Sequence, residues 1–235
     1  MAQSNENVQL FDIPGGKVAE VHYFLDWSYD DALHWMKDAR ARVLAGERWR
    51  IAVGSHAEDV VTLGAHTPDD QIQNSAVVEA RRALVRRIER GGGATCHSPG
   101  QLVLYPVMSI RNPALSVPRF TDVLLETALV FLGDFGILGL KDLENPGVYV
   151  DNFKLASIGF RSQKGVVTHG LAINYLNDMA IFEAISPCGD PHQKMSSVKE
   201  ILKLKPGNRA VVPLSQAMKS LGSAFLRVYI EGLTE

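Results

Sequence analysis

The chain has 235 residues, of which 46% are hydrophobic and 21% are charged, and its formal net charge at pH 7 is −2. This composition is typical of a folded globular domain and excludes an intrinsically disordered chain. A charge so close to zero also excludes a strong overall positive field, so we expect neither nucleic acid nor a membrane surface as a partner.

Hydropathy and cysteine usage predict the compartment. The first residues lack a basic segment followed by an apolar one, and no apolar run reaches the length of about 18 residues that spans a bilayer. The two cysteines, Cys96 and Cys188, are too few for a disulfide-stabilised secreted scaffold. We therefore expect a cytoplasmic protein with reduced thiols, folded as a single domain over residues 1–235.

The first third of the chain predicts one helix followed by strands. Residues 29–45 have apolar side chains at helical spacing, acidic residues near the start and Gly46 after the end. Residues 50–63 contain two β-branched runs, which predict one or two strands, and residues 64–70 have the composition of an exposed loop.

Four arginines stand among aliphatic residues between positions 77 and 89. The usual interpretation of such a run is the solvated face of a helix, and the alternative is a docking surface for an acidic partner. Both interpretations concern the side chains of Arg81, Arg82, Arg86 and Arg87.

The rest of the chain predicts a mixture of strands and helices. Residues 102–110 form an apolar run typical of a buried strand, with Pro106 near an edge or a strand end, and residues 120–135 return to helical spacing. Residues 147–174 read as an antiparallel meander whose middle strand begins at Lys154. Helices are expected at 197–202 and 214–231. Since strands and helices do not alternate regularly, the predicted class is α+β.

The glycine-rich stretch RGGGATCHSPGQ, which starts at Arg90, indicates a place where a ligand meets the backbone. Glycines have no Cβ, so Gly91, Gly92 and Gly93 allow positive φ and direct approach to main-chain N–H groups. The stretch lacks both the Gly-Lys-Ser/Thr of a P-loop and the spacing of a dinucleotide fingerprint. A bound acyl or carbonyl group therefore remains the open interpretation.

A cysteine and a lysine are candidates for acyl transfer. Cys188 lies in a turn between Pro187 and Gly189, although an isolated cysteine is often only a buried packing residue. Lys154 heads an otherwise apolar strand, which favours an inward orientation. A lysine beside a cysteine favours the nucleophilic thiolate and can exchange a proton with an attacking amine.

Histidines offer alternative bases and a weak metal hypothesis. His97, His169 and His192 are candidate bases, although a lone histidine is more often structural. Cys188 and His192 have a metal-like spacing, but only the distant Cys96 and His97 would complete four ligands. We expect no metal.

Three segments in order, RGGGATCHSPGQ, KLASIGFR followed by THGLAIN, and SPCG, resemble the lipoyl(octanoyl) transferase family over about residues 60–198. The resemblance implies the α+β catalytic domain shared with biotin and lipoate protein ligases, with a mixed, largely antiparallel sheet flanked by helices. It also implies octanoyl transfer to lipoyl domains, the first step of endogenous lipoate biosynthesis.

The same resemblance assigns the chemistry. Cys188 would attack the octanoyl thioester of acyl carrier protein, and Lys154 would lower the pKa of the thiol. The acceptors would be lysines in lipoyl domains of 2-oxoacid dehydrogenase complexes and in the glycine cleavage H protein, with no cofactor required.

The resemblance also assigns the walls of an acyl site, with His169 as a possible supporting residue. The chain differs from the family pattern at Gly93, Cys96 and Ser98, which bears on pocket shape and acyl length more than on chemistry. The implied wall residues are Arg90, Gly91, Gly92, Gly93, Ala94, Thr95, Cys96, His97, Ser157, Ile158, Gly159, Gly170, Leu171 and Ala172.

Two other functions remain open. An ATP-dependent lipoate or biotin ligase of the same fold would share RGGG and KLASIG, although SPCG at Cys188 argues against it. A non-catalytic protein that binds acyl groups or lipoyl domains would accommodate the altered residues around His97.

Overall fold

The computed structural model describes residues 7–13, 17–111, 115–187, 192–204 and 210–232. The strands are β1 (Asn7–Ile13), β2 (Lys17–Trp27), β3 (Trp49–His56), β4 (Val60–Gly64), β5 (Leu84–Ile88), β6 (Thr95–His97), β7 (Leu102–Val107), β8 (Leu140–Asp142), β9 (Gly147–Val150), β10 (Phe153–Gln163), β11 (Val166–Ile173) and β12 (Lys194–Met195). The helices are α1 (Tyr29–Leu44), α2 (Ser75–Ala80), α3 (Val117–Asp134), α4 (Val198–Leu204) and α5 (Leu214–Glu231), with 3-10 turns at Asp69–Gln71 and Met179–Ala184.

Two sheets organise the described residues. The large sheet has the order β1-β2-β3-β7-β11-β10-β9-β8, with β12 paired to β10, and the small sheet has the order β5-β4-β6. In the large sheet β2–β3 and β10–β12 are parallel and the other pairs are antiparallel. The predicted α+β class with a mixed, largely antiparallel sheet is confirmed.

Helices cover both faces of the large sheet. On one face α3 and α5 pack through residues such as Phe120, Phe131 and Phe225. On the other face α1 packs through Met36 and Val43. The core therefore lies in two layers, and the sheet separates them. None of the described helices is long and apolar enough to cross a membrane.

Capping explains why the two predicted long helices begin where they do. The Ser28 hydroxyl accepts a hydrogen bond from the Asp31 N–H at 3.0 Å and caps α1, and Ser116 caps α3 in the same way. Helix α1 ends at Leu44, and Gly46 follows at φ +90°. The predicted helices at 29–45 and 120–135 are both confirmed.

The meander between β9 and β11 is also confirmed. Lys164 and Gly165 both have positive φ, as a two-residue hairpin turn requires, and β10 begins at Phe153, one residue before the predicted start. In β7 the pairing with β11 ends at Leu104, so Pro106 lies beyond it, near the strand end. There its missing N–H breaks no ladder to β11.

The helix expected for residues 77–89 is wrong. Helix α2 ends at Ala80, Arg82 has a φ of 51°, and β5 then pairs in parallel with β4. Pairing and burial of Ile88 outweigh the local helical preference. Nor do the arginines form one solvated face: Arg81 pairs with Asp59 and Asp178, Arg86 with Asp30, and Arg87 with Asp69.

Candidate functional site

A pocket of about 480 Å³, including its mouth, lies between the glycine-rich segment and the paired strands β10 and β11. The centre of a water molecule can occupy only about 30 Å³ of this space, so the walls of the pocket lie close together. Its lining residues are Arg90, Gly92, Gly93, Ala94, Thr95, His97, Tyr105, Ser157, Ile158, Gly159, His169, Gly170, Leu171 and Ala172. Twelve of these residues were predicted as wall residues and His169 as a supporting residue, whereas Tyr105 was not predicted.

Glycines form part of the strand side of the pocket. Gly159 and Gly170 face each other across β10 and β11. A Cβ on Gly170 would lie 2.5 Å from the Leu104 carbonyl oxygen, and one on Gly159 would lie 3.2 Å from the Cδ of Arg90. Glycine at position 170 therefore permits the close approach of β11 to β7, and glycine at position 159 leaves room for the Arg90 side chain on the opposite wall.

Arg90 fixes the wall opposite these strands. The side chain is buried, with one guanidinium nitrogen donating to the carbonyl and hydroxyl oxygens of Thr62 at 2.9 and 2.8 Å. The other donates to the Gly91 carbonyl at 2.9 Å. The guanidinium therefore joins the small sheet to the glycine-rich segment.

Two polar rings line one flank of the pocket without adding charge. Burial lowers the pKa of His97 to about 4, so its imidazole is neutral at pH 7, and its Nδ1 lies 2.7 Å from Oε1 of Gln101. Burial also raises the pKa of Tyr105, whose hydroxyl lies 3.0 Å from Nε2 of His56. Neutral hydrogen-bonding groups of this kind can orient a substrate carbonyl without placing a charge in the pocket.

His169 lies at the end of the pocket that is farther from Lys154, opposite Phe160 on β10. Its φ of +61° is unusual for a residue with a side chain, and burial, with a smaller effect of Arg90, lowers its pKa to about 3. Neither ring nitrogen has a hydrogen-bond partner among the described residues. The ring is therefore a neutral polar cap on the pocket.

Two predicted wall residues, Gly91 and Cys96, do not line the pocket. The Gly91 N–H donates to the Phe160 carbonyl at 3.2 Å and holds the glycine-rich segment on β10. Cys96 alternates with Thr95 and His97 along β6, so its side chain enters the opposite cluster with Val61 and Ile181. Burial raises the pKa of its thiol well above the usual range, which keeps it protonated.

Lys154 turns inward, as expected from its position in the strand. The side chain is 1% exposed, Nζ donates to Oδ1 of Asn145 at 3.0 Å, and Nζ lies 5.3 Å from the centre of the Tyr149 ring. A Cβ on Gly147 would lie 2.3 Å from the lysine Cε. The glycine therefore leaves the space that the buried lysine occupies.

Cys188 lies outside the described residues. Described residues before and after it contact the pocket wall and the surroundings of Lys154, respectively. Pro187 pairs with Ala94 on the pocket wall. Gln193 Oε1 lies 3.4 Å from both Nδ2 of Asn145 and the Tyr149 hydroxyl.

A family model for the lipoyl protein ligase A/B catalytic domain matches residues 24–225. The chain belongs to this family. A probable octanoyltransferase of Pyrobaculum aerophilum is 38% identical over 173 residues, which cover 74% of this chain and 73% of that protein. An octanoyltransferase of Shewanella sp. strain ANA-3 is 36% identical over 138 residues, covering 57% of this chain and 64% of that protein. Within the family, this chain groups with the octanoyltransferases, which are acyltransferases.

Solved structures confirm the ligase-type fold. A Thermoplasma acidophilum putative lipoate protein ligase with bound lipoic acid has a TM-score of 0.67 at 14% identity, covering 91% of this chain and 85% of that one. A biotin protein ligase of Leishmania major in complex with biotin has a TM-score of 0.52 at 13% identity, covering 88% of this chain and 72% of that one.

Sequence patterns missed the residues around Lys154 in this member of the family. Gly147 opens a strand, where a glycine usually signals only a turn, and Asn145 sits in a polar turn with nothing to distinguish it. Their proximity to Lys154 depends on the pairing of β9 with β10. Within the described ranges, no three His, Cys, Asp or Glu side chains come close enough together to hold a metal.

Proposed function

We propose that this octanoyltransferase-family chain moves an octanoyl group from acyl carrier protein to a lipoyl-domain lysine through a thioester on Cys188. The observation that carries the proposal is the buried Lys154 on β10, three residues before the pocket wall begins at Ser157 on the same strand. The residues flanking Cys188 support it, since Pro187 pairs with the pocket wall at Ala94 and Met195 pairs with Lys154.

The pocket suits a linear acyl chain. Its sides combine Ile158, Leu171 and Ala172 with glycine backbone, and its polar rings are neutral. Burying a hydrocarbon chain there is favourable by about 0.8 kcal/mol per methylene. The Gly91 and Ala94 N–H groups already donate to the Phe160 carbonyl and to Oε1 of Gln71, so the donors for the carbonyl oxygen would be the N–H groups of Gly92 and Gly93.

The first half-reaction forms the acyl-enzyme. The Cys188 thiolate attacks the carbonyl carbon of the donor thioester, a new C–S bond forms, and the bond to the carrier's thiol breaks. The Lys154 ammonium stabilises the thiolate and can supply the proton that the departing thiol takes up. Its buried position strengthens that electrostatic effect.

The second half-reaction releases the product. The neutral amine of an acceptor lysine attacks the Cys188 thioester, an amide C–N bond forms, and the thiolate leaves. The nitrogen gives up its proton to the Lys154 amine, which restores the starting ammonium–thiolate pair. No oxidant, metal or nucleotide is consumed in this sequence.

Intact-protein mass spectrometry after mixing with octanoyl-acyl carrier protein tests the proposal. We expect the wild type to gain the mass of one octanoyl group, Cys188→Ala to gain none, and Cys96→Ala to gain it normally. An adduct that persists in Cys188→Ala contradicts the proposal. Transfer from free octanoate that requires ATP, with none from the carrier protein, would instead identify a ligase.

A further inference from the structure

Three leucines are exposed at one edge of the large sheet. Leu138, Leu140 and Leu143 are 88%, 79% and 60% exposed, and all lie on or beside β8. Strand β8 is the last strand of the sheet on this side, so no described strand pairs with its outer backbone edge. Clustered exposed apolar side chains on a sheet edge are a common feature of protein-binding surfaces.

This edge is continuous with the reactive lysine. Leu140 is in register with Tyr149 on β9, and Tyr149 is in register with Lys154 on β10. Residues directly opposite each other on antiparallel strands project to the same face of the sheet. The three side chains therefore form a row, from buried Lys154 through half-buried Tyr149 to exposed Leu140.

The distance from Leu140 to Lys154 is short enough for one bound protein, the one that carries the acceptor lysine, to cover both positions. Two strand spacings separate Leu140 from Lys154, which is about 10 Å. A lysine side chain extends only about 6 Å from Cα to Nζ, so the backbone that carries it must come close to the thioester. The surface around that backbone must then lie over the neighbouring strands.

We propose that the β8 edge, with Leu138, Leu140 and Leu143, is the docking surface for the lysine-bearing acceptor domain. The inference rests on the proposed acyl transfer and adds the partner's position. The acyl donor is less constrained, because a thioester on a long flexible arm does not require its carrier to touch this edge. The two proteins would then use different surfaces of the enzyme.

The edge is preformed. The Lys141 ammonium pairs with Asp122 and Glu126 on α3, which anchors β8 to that helix. The Asp142 carboxylate accepts the N–H groups of Glu144 and Asn145, which fixes the turn into β9. A partner that binds here therefore meets an ordered strand and loses little affinity to ordering it.

The test compares Leu138→Ser/Leu140→Ser with Leu10→Ser, a 59% exposed leucine on β1 at the opposite edge of the same sheet. Acylation by octanoyl-acyl carrier protein and transfer to a purified apo-lipoyl domain are measured separately. We expect the double variant to acylate normally and to show a KM for the lipoyl domain raised about tenfold or more, with Leu10→Ser unchanged. Calorimetric titration of the lipoyl domain into Cys188→Ala enzyme should show the same weakening without catalysis.

Two results would overturn the docking proposal. One is an unchanged KM and binding constant for the lipoyl domain, and the other is a slower acylation step with normal transfer, which would place the donor at this edge. Failure of the wild type to form an octanoyl adduct would instead overturn the proposed function. The calorimetric arm still reports on docking in that case.

Discussion

Gly147→Ala tests whether the position of Lys154 governs acylation. The added Cβ would lie 2.3 Å from Cε of Lys154 and 3.1 Å from its Nζ. Nonbonded carbon atoms normally approach to about 3.5–4.0 Å, so the lysine tip must move by more than about 1 Å. A displacement of about 1 Å in a catalytic group can lower a rate by about a hundredfold, or about 3 kcal/mol in the barrier.

The substitution also stresses the backbone, since the new Cβ would lie 2.7 Å from the Ala156 carbonyl oxygen. We therefore expect a free energy of unfolding lower by about 1–3 kcal/mol, measured by urea titration. The rate of octanoyl-enzyme formation, followed by quenched-flow mass spectrometry at a temperature where the variant is folded, isolates the catalytic effect.

Two comparisons separate the lysine from general damage. Gly133→Ala on α3 places a Cβ that has no atom within 4 Å apart from its chain neighbours and the backbone of its own helix, so its acylation rate should match the wild type. In a Lys154→Ala background the clash with the lysine is absent, so adding Gly147→Ala should lower the rate little further. A folded Gly147→Ala variant that acylates at the wild-type rate would refute the reasoning.

Three further predictions follow from the same geometry. Asn145→Ala removes the Oδ1 that accepts a hydrogen bond from Nζ of Lys154, so the pH profile for iodoacetamide alkylation of Cys188 should shift upward by about one unit. Asn152→Ala in the exposed β9–β10 turn is the control and should leave the profile in place. Equal profiles for the two variants would contradict a role for Asn145. Because burial raises the pKa of the Cys96 thiol, native protein should resist alkylation at Cys96 at pH 8, which peptide mapping checks, and rapid labelling would show the site to be open. His97 has a pKa of about 4 in the folded state and 6.5 in the unfolded state, so the unfolded state binds more protons between these values and the free energy of unfolding decreases as pH drops from 6.5 to 4. In His97→Asn this decrease should be smaller by about 3 kcal/mol, measured by urea titration at several pH values. An identical decrease in the variant would argue against a neutral buried imidazole.

Local pattern was enough to predict most of the fold. Apolar spacing located α1 and α3, acidic residues and Gly46 marked the ends of α1, and turn chemistry located the β9–β11 meander, because these features depend on residues close in sequence. The arginine-rich segment was mispredicted for the opposite reason. Whether residues 84–88 form a helix or a strand is decided by pairing with β4, which local preference does not encode.

The site residues likewise fall into two groups: those that local motifs predicted and those that depend on strand register. Wall residues came in contiguous motifs, so the resemblance placed them together, and the pocket contains most of them. Cys96 was misplaced among the walls because strand alternation on β6 directs it to the other side. Asn145, Gly147 and Leu140 acquire their significance only from strand register, which brings separate segments beside Lys154.

Passage of the octanoyl group through Cys188, next to Lys154, is the step on which the proposed function depends. The most direct measurement is to isolate the octanoyl-enzyme, remove the donor and mix it with an apo-lipoyl domain in a single turnover. We expect the octanoyl group to leave Cys188 and to appear on the lipoyl-domain lysine at least as fast as steady-state turnover. An adduct that stays on the enzyme, or transfers much more slowly than turnover, would contradict the proposed function.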